Sequence, residues 1–237
     1  MIELGTKKIR NMIKRIFVLV VAVAMAISAS AQSDAGSLTW QPNVGVTYTY
    51  GIVDGLNDPV DAAYALTFGV EAMYMLKEKL GIALGLNYTG YNLDDDAVAY
   101  FGYSRYYSYY GYYGYNYNGS LYERALDPDY QKARNYYFNI PATVNYYIFR
   151  GFAVKSGIAL NILSTAKIGG KSEVNDLEGV VKVKDFYKPV FVSVHTGVSY
   201  EIKNFVFDAR CGISITNVSE YGEGEYLPLS LTVGYKF

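Results

Sequence analysis

His195 is the only histidine of the 237-residue chain, and Ser193 and Glu201 fall on the same side of an extended strand. A serine, a histidine and an acid are the parts of a nucleophilic relay, but the base must lie within hydrogen-bond reach of both partners. At ~3.3 Å per residue along a strand, Glu201 stands about 20 Å from His195, far outside that reach. Another acid could replace it, yet the face that carries His195 reads as the interior of a closed structure, away from lipid substrates. An ordinary interior histidine is therefore expected. Metal chemistry has no ligand set in one His and one Cys, Cys211, and a single Cys excludes an intrachain disulfide. Asp94-Asp95-Asp96 places three acids in a row without the spaced ligand positions of a calcium loop, and reads as solvated charge. No enzyme, no cofactor and no metal is expected.

A different chemistry is concentrated between residues 100 and 117. Ten of these eighteen residues are tyrosine: Tyr100, Tyr103, Tyr106, Tyr107, Tyr109, Tyr110, Tyr112, Tyr113, Tyr115 and Tyr117. Gly, Ser and Asn are interleaved, the mixture that antibody loops use for adaptable contact. Tyr rings also stack on sugars and apolar patches. One reading is a contact surface for an extracellular ligand or partner; the other is a hairpin whose Tyr pairs merely stabilise it.

Both features depend on the elements that hold them. Leu229, Leu231, Val233, Tyr235 and Phe237 alternate with Ser230, Thr232, Gly234 and Lys236 to the last residue. That is a two-faced strand, and an edge so apolar would aggregate in water unless it closes a barrel in lipid. Seven further strands of the same kind are read at about Gln41–Ile52, Ala62–Leu76, Gly81–Leu93, Tyr136–Phe149, Phe152–Leu163, Pro189–Ile202 and Phe205–Val218. Pro141 lacks a ladder donor, so a bulge or an unpaired donor position is expected there. Ser164 to Lys188 reads as a charged loop, and Asp94 to Asn135 as a 42-residue one.

The connections alternate long and short, as in an all-β, eight-stranded, antiparallel, up-and-down transmembrane β-barrel with periplasmic termini and extracellular loops. The face opposite the apolar one is rich in Gly, Ala, Ser, Thr and Asn, suited to a narrow interior rather than to water. Tyr48, Tyr50, Tyr64, Tyr74, Tyr88, Tyr146, Tyr200 and Tyr235 fall near strand ends, where an aromatic girdle belongs. On these registers Glu71, Lys155, Glu201, Asp208, Arg210 and Lys236 point inward, three of each sign. Such a lumen charge cluster either tunes a small channel or forms a neutral network that plugs it, because eight strands leave an interior only wide enough for side chains.

Three stretches carry a family resemblance: Phe138-Asn-Ile-Pro-Ala-Thr-Val-Asn-Tyr146, Phe207-Asp-Ala-Arg-Cys-Gly-Ile-Ser-Ile-Thr-Asn217 and Leu231-Thr-Val-Gly-Tyr-Lys-Phe237. They resemble the small outer-membrane β-barrel domain family, often labelled porin-family and similar to OmpX and to the OmpA transmembrane domain. The chain departs from it in Cys211, where an aromatic is commoner, and in its Tyr-rich loop. The resemblance implies an outer-membrane barrel but no single activity. Tyr235 and Phe237 resemble the terminal assembly signal of such barrels, which implies the barrel-insertion machinery as a partner.

The N-terminus fits that destination. Lys7, Lys8, Arg10, Lys14 and Arg15 precede a twelve-residue apolar run, Ile16 to Ile27, and Ala29-Ser30-Ala31 follows. This reads as a signal peptide over residues 1–31, cut before Gln32, with translation starting at Met1 or Met12. The barrel domain is then 32–237. Five of the 21 Lys and Arg and one of the 22 acids leave with that segment, so the mature chain is net acidic and carries no electrostatic case for nucleic acid. The expected protein is a non-enzymatic cell-surface barrel in the outer membrane of a Gram-negative bacterium, partnered by the lipid bilayer. Its extracellular loop makes the contacts; the alternative is a small porin for ions or solutes.

Overall fold

A computed structural model describes residues 34–53, 60–94, 132–171, 178–182, 184, 187–220 and 224–237. The expected signal segment and all ten tyrosines of residues 100–117 lie outside the described residues. Among the described residues nine strands are present: β1 (Leu38–Val53), β2 (Val60–Lys77), β3 (Leu80–Asp94), β4 (Lys132–Phe149), β5 (Phe152–Lys171), β6 (Glu178–Lys182), β7 (Val190–Ile202), β8 (Phe205–Ser214) and β9 (Gly224–Tyr235). They pair antiparallel in the order β4-β3-β2-β1-β9-β8-β7-β5-β6, and a further β4–β5 pairing closes eight of them into a barrel. β6 stands outside that ring, paired with β5 from Lys167↔Lys182 to Lys171↔Glu178.

The closure fits the sequence pattern on both faces. On β2, Leu66 and Phe68 are 64% and 53% exposed, while their neighbours Ala65 and Thr67 are 7% and 4% exposed. The same alternation runs round the ring, so the large apolar side chains point out and the polar ones in. Trp40, Tyr74, Tyr146, Phe205 and Tyr235 mark the outer wall at the end with the short turns, and Tyr48, Tyr50, Tyr64, Tyr88 and Tyr136 mark it at the end with the long connections. Tyr64 and Tyr74 are ten residues apart on β2. At ~3.3 Å per residue and a tilt of roughly 40°, they bound an apolar band about 25 Å tall, the thickness such barrels present to lipid.

Three turns at that end are tight, at Glu78-Lys79, Arg150-Gly151 and Lys203-Asn204. Gly151 takes a left-handed φ of 81°, open to a residue without Cβ. Beyond the last strand, Phe237 exchanges backbone hydrogen bonds with Trp40, at 2.9 and 3.4 Å.

Several boundaries differ from the sequence reading. The expected loop Ser164–Lys188 is in part sheet, since β5 runs on to Lys171 and β6 follows. A bulge explains why the alternation breaks off near Leu163: Tyr136 pairs with Thr165 but Tyr137 with Leu163, leaving Ser164 as the extra residue. An inserted residue exchanges the two faces of every residue beyond it. β4 begins at Lys132 rather than Tyr136, β8 ends at Ser214 rather than Val218, and the last strand starts at Gly224 rather than Leu229. Pro228 interrupts the last pattern: the β8–β9 pairing stops at Cys211↔Leu229, one position short of it. At Pro141 there is no bulge. The β3–β4 ladder skips from Leu84↔Ala142 to Asn87↔Asn139 in unchanged register, as a missing donor requires.

Candidate functional site: the filled lumen

Residues on the inner face stack into four layers along the barrel axis. Nearest the short turns, the Lys236 ammonium pairs with the Glu201 carboxylate, and the Tyr147 hydroxyl donates to the other oxygen of Glu201. Met73, Met75, Ala83, Tyr147 and Ala153 pack together around this pair. Glu201 is 1% exposed, and a carboxylate so placed is tolerable only with a cation and a donor on it.

The next layer holds four charges. Arg210 reaches Glu71 through Nη2 (2.7 Å to Oε1) and Asp208 through Nε (2.7 Å to Oδ1). Lys155 pairs with Asp208 and lies 3.8 Å from Glu71. The guanidinium fork suits two carboxylates at once, and two cations against two anions leave the layer neutral. Glycines make the room. A Cβ at Gly85 would lie 2.9 Å from the Glu71 side chain, and one at Gly197 would lie 2.2 Å from the Ala209 carbonyl oxygen and 3.0 Å from Arg210 Cγ. The six inward charges of the sequence reading thus separate into a group of four, Glu71, Lys155, Asp208 and Arg210, and a pair, Glu201 with Lys236.

Above them lies a cavity of about 70 Å³, lined among others by Asn43, Asn87, Asn139, Ser193, His195 and Arg210. That is room for a few waters. His195 Nε2 is 2.9 Å from Thr143 Oγ1, and the Ser193 hydroxyl accepts from Asn161 Nδ2 at 3.0 Å. With Glu201 held by Lys236, the three residues of the possible relay have separate partners and form no catalytic unit.

The fourth layer faces the long connections and is aromatic. Tyr91, Tyr137, Phe191 and Tyr226 pack with ring centroids 5.1–6.3 Å apart. All four are at most 4% exposed. Tyr91 donates to Asn161 Oδ1 at 3.0 Å, and Asn135 Nδ2 donates to the Tyr226 hydroxyl at 2.9 Å. Tyr187, outside the strands, also packs here. Burial pushes its phenol above the ordinary range, against an opposing hydrogen bond with Asn135.

This aromatic layer was not among the sequence candidates. Tyr91 and Tyr137 carry a signal, since each lies on the inward parity of its strand, whereas Tyr226 falls before the expected start of the last strand. Cys211 is exposed on the outer wall, and no group of three His, Cys, Asp or Glu able to hold a metal occurs among the described residues. Tyr235 and Phe237 are on the outer wall at the turn end, their ring centroids 4.8 Å apart.

Comparison with known proteins places this architecture. Residues 30–220 match the model of the outer membrane protein β-barrel domain family. No curated protein matches the chain. Among solved structures, Ail, the attachment invasion locus protein of Yersinia pestis, aligns at 11% identity over 86% of this chain and 99% of its own, with a TM-score of 0.47. Neisserial surface protein A aligns at 14% identity over 84% and 97%, also at 0.47. The outer membrane protease OmpT of Escherichia coli aligns at 8% identity over 89% and 99%, at 0.36. With the family match over most of its length and a closed eight-stranded antiparallel ring, the chain belongs to the outer membrane protein β-barrel domain family and is a transmembrane barrel of the Gram-negative outer membrane.

Proposed function

We propose that the barrel is a closed, non-enzymatic anchor that holds its long connections at the cell surface, where the Tyr-rich stretch of residues 100–117 makes contact with a ligand or partner. The observation that carries this reading is the filling of the lumen. The Glu201–Lys236–Tyr147 layer and the four-ring aromatic layer stand at opposite ends of it, with an ion network between. An interior so occupied leaves the loops as the working part. In this reading residues 1–31 are removed as a signal peptide, the termini and short turns are periplasmic, and Tyr235 and Phe237 are recognised by the insertion machinery.

The test is adhesion of bacteria displaying the full chain to a hydrophobic surface and to a glycan-coated one. Cells displaying a variant with the ten tyrosines changed to Ser should lose attachment at equal surface abundance. Equal attachment by both would end the contact reading. A second reading, a small porin, is favoured by the polar cavity beside Arg210 and His195, and ion flux through the refolded barrel separates the two.

A further inference from the structure

The bulge at Ser164 has a specific consequence for charge. Without it, the alternation of β5 would turn Lys167 into the lumen; with it, Ala166 is fully buried and Lys167 is exposed on the outer wall. There Lys167 is directly opposite Arg134 of β4, which is also exposed. Residues opposite one another in a ladder share a face with Cβ atoms about 5 Å apart, so two cations there repel. Toward β3, Arg134 faces the uncharged Asn92. Among the described residues no acid pairs with Arg134 or Lys167.

The height of this row is equally specific. Tyr136, stacked on Tyr88 in the loop-end girdle at 5.5 Å and 7°, is two residues below Arg134 on the same face. That places the cations about 5 Å beyond the girdle along the barrel axis. On the same outer wall, Phe138, Val144 and Tyr146 of β4 and Ile158, Leu160 and Ile162 of β5 lie toward the turn end, exposed to lipid. Lipid phosphates lie at the level just past such a girdle, and basic residues there attract anionic headgroups.

We propose that Arg134 and Lys167 form a binding site for the phosphate of an anionic lipid headgroup in the leaflet at the loop end, the ligand charge relieving the repulsion between them. The site does not depend on what the loops contact or on which end faces outward, so its test is separate from that of the anchor reading.

The mature chain, refolded in symmetric phosphatidylcholine nanodiscs, is titrated with spin-labelled phosphatidylglycerol and spin-labelled phosphatidylcholine, and the motionally restricted fraction of each is compared. The wild type should favour the anionic lipid by roughly tenfold, and Arg134→Gln with Lys167→Gln should bring that ratio close to one. The charge-preserving exchange Arg134→Lys with Lys167→Arg should retain the preference, as should Lys77→Gln with Lys79→Gln at the turn end. A wild type without preference, or a double Gln variant that keeps it, overturns the assignment. Displacement of the lipid by equimolar inorganic phosphate would reassign the site to a free anion and overturn it as well.

Discussion

At the turn end of the lumen, Glu201 is held by an ammonium and a phenol, and beside it Arg210 bridges two carboxylates. At the loop end no described ion pair is present; rings pack edge to face or tilted around amide–phenol hydrogen bonds. The two ends close the same tube by different physics. Ionic closure is unforgiving of single losses, because removing one partner strands a buried charge. Aromatic closure gives up dispersion and one neutral hydrogen bond at a time, so its losses are graded. The turn end therefore tolerates the loss of a single side chain less well than the loop end does.

The sharpest way to break this comparison is at Arg210. Arg210→Met leaves Glu71 to a 3.8 Å contact with Lys155, and should cost about 3–5 kcal/mol, read from urea unfolding of protein folded into phospholipid vesicles. Adding Glu71→Gln to that variant should recover part of the loss; strict additivity would mean that the two residues do not act as a pair.

A matched pair of smaller changes sharpens the contrast. Tyr147→Phe removes a donor from a carboxylate and should cost about 1.5–3 kcal/mol. Tyr226→Phe removes a neutral acceptor from the buried Asn135 amide, a loss of about 1–3 kcal/mol that should fall below that of Tyr147→Phe. Equal costs in the same unfolding assay would count against an ionic half and an aromatic half with distinct energetics.

Much of this was legible in the sequence wherever period-2 alternation is unbroken. Leu66, Phe68 and Val70 against Ala65, Thr67 and Glu71 give the register of β2 outright, and a fixed register places each charge on the inner face. The alternation does not say which charges meet. Arg210 and Glu71 come together across a curved, tilted wall and are not ladder neighbours. Legibility also ended where the period changed. The bulge at Ser164 hid the upper half of β5, and Pro228 hid the start of β9 and with it Tyr226. Among the described residues β6 pairs with β5 alone, and at five residues it is too short for an alternating pattern to be read. Among the described residues the loop end of the lumen is packed by tyrosines that stand apart in sequence from the conspicuous run between 100 and 117. These are Tyr91 and Tyr137, unremarked residues on the inward parity of their strands, and Tyr226, which precedes the part of the last strand that alternation reveals.

The central claim is that the barrel is closed from end to end. Single-channel recording of the refolded mature chain in a planar bilayer tests it directly. A correctly folded protein, with its heat-resistant compact migration on gels intact, should give no steady conductance steps. Reproducible openings from such a preparation would contradict the closed lumen and return Glu71, Lys155, Asp208 and Arg210 to the role of a selectivity ring.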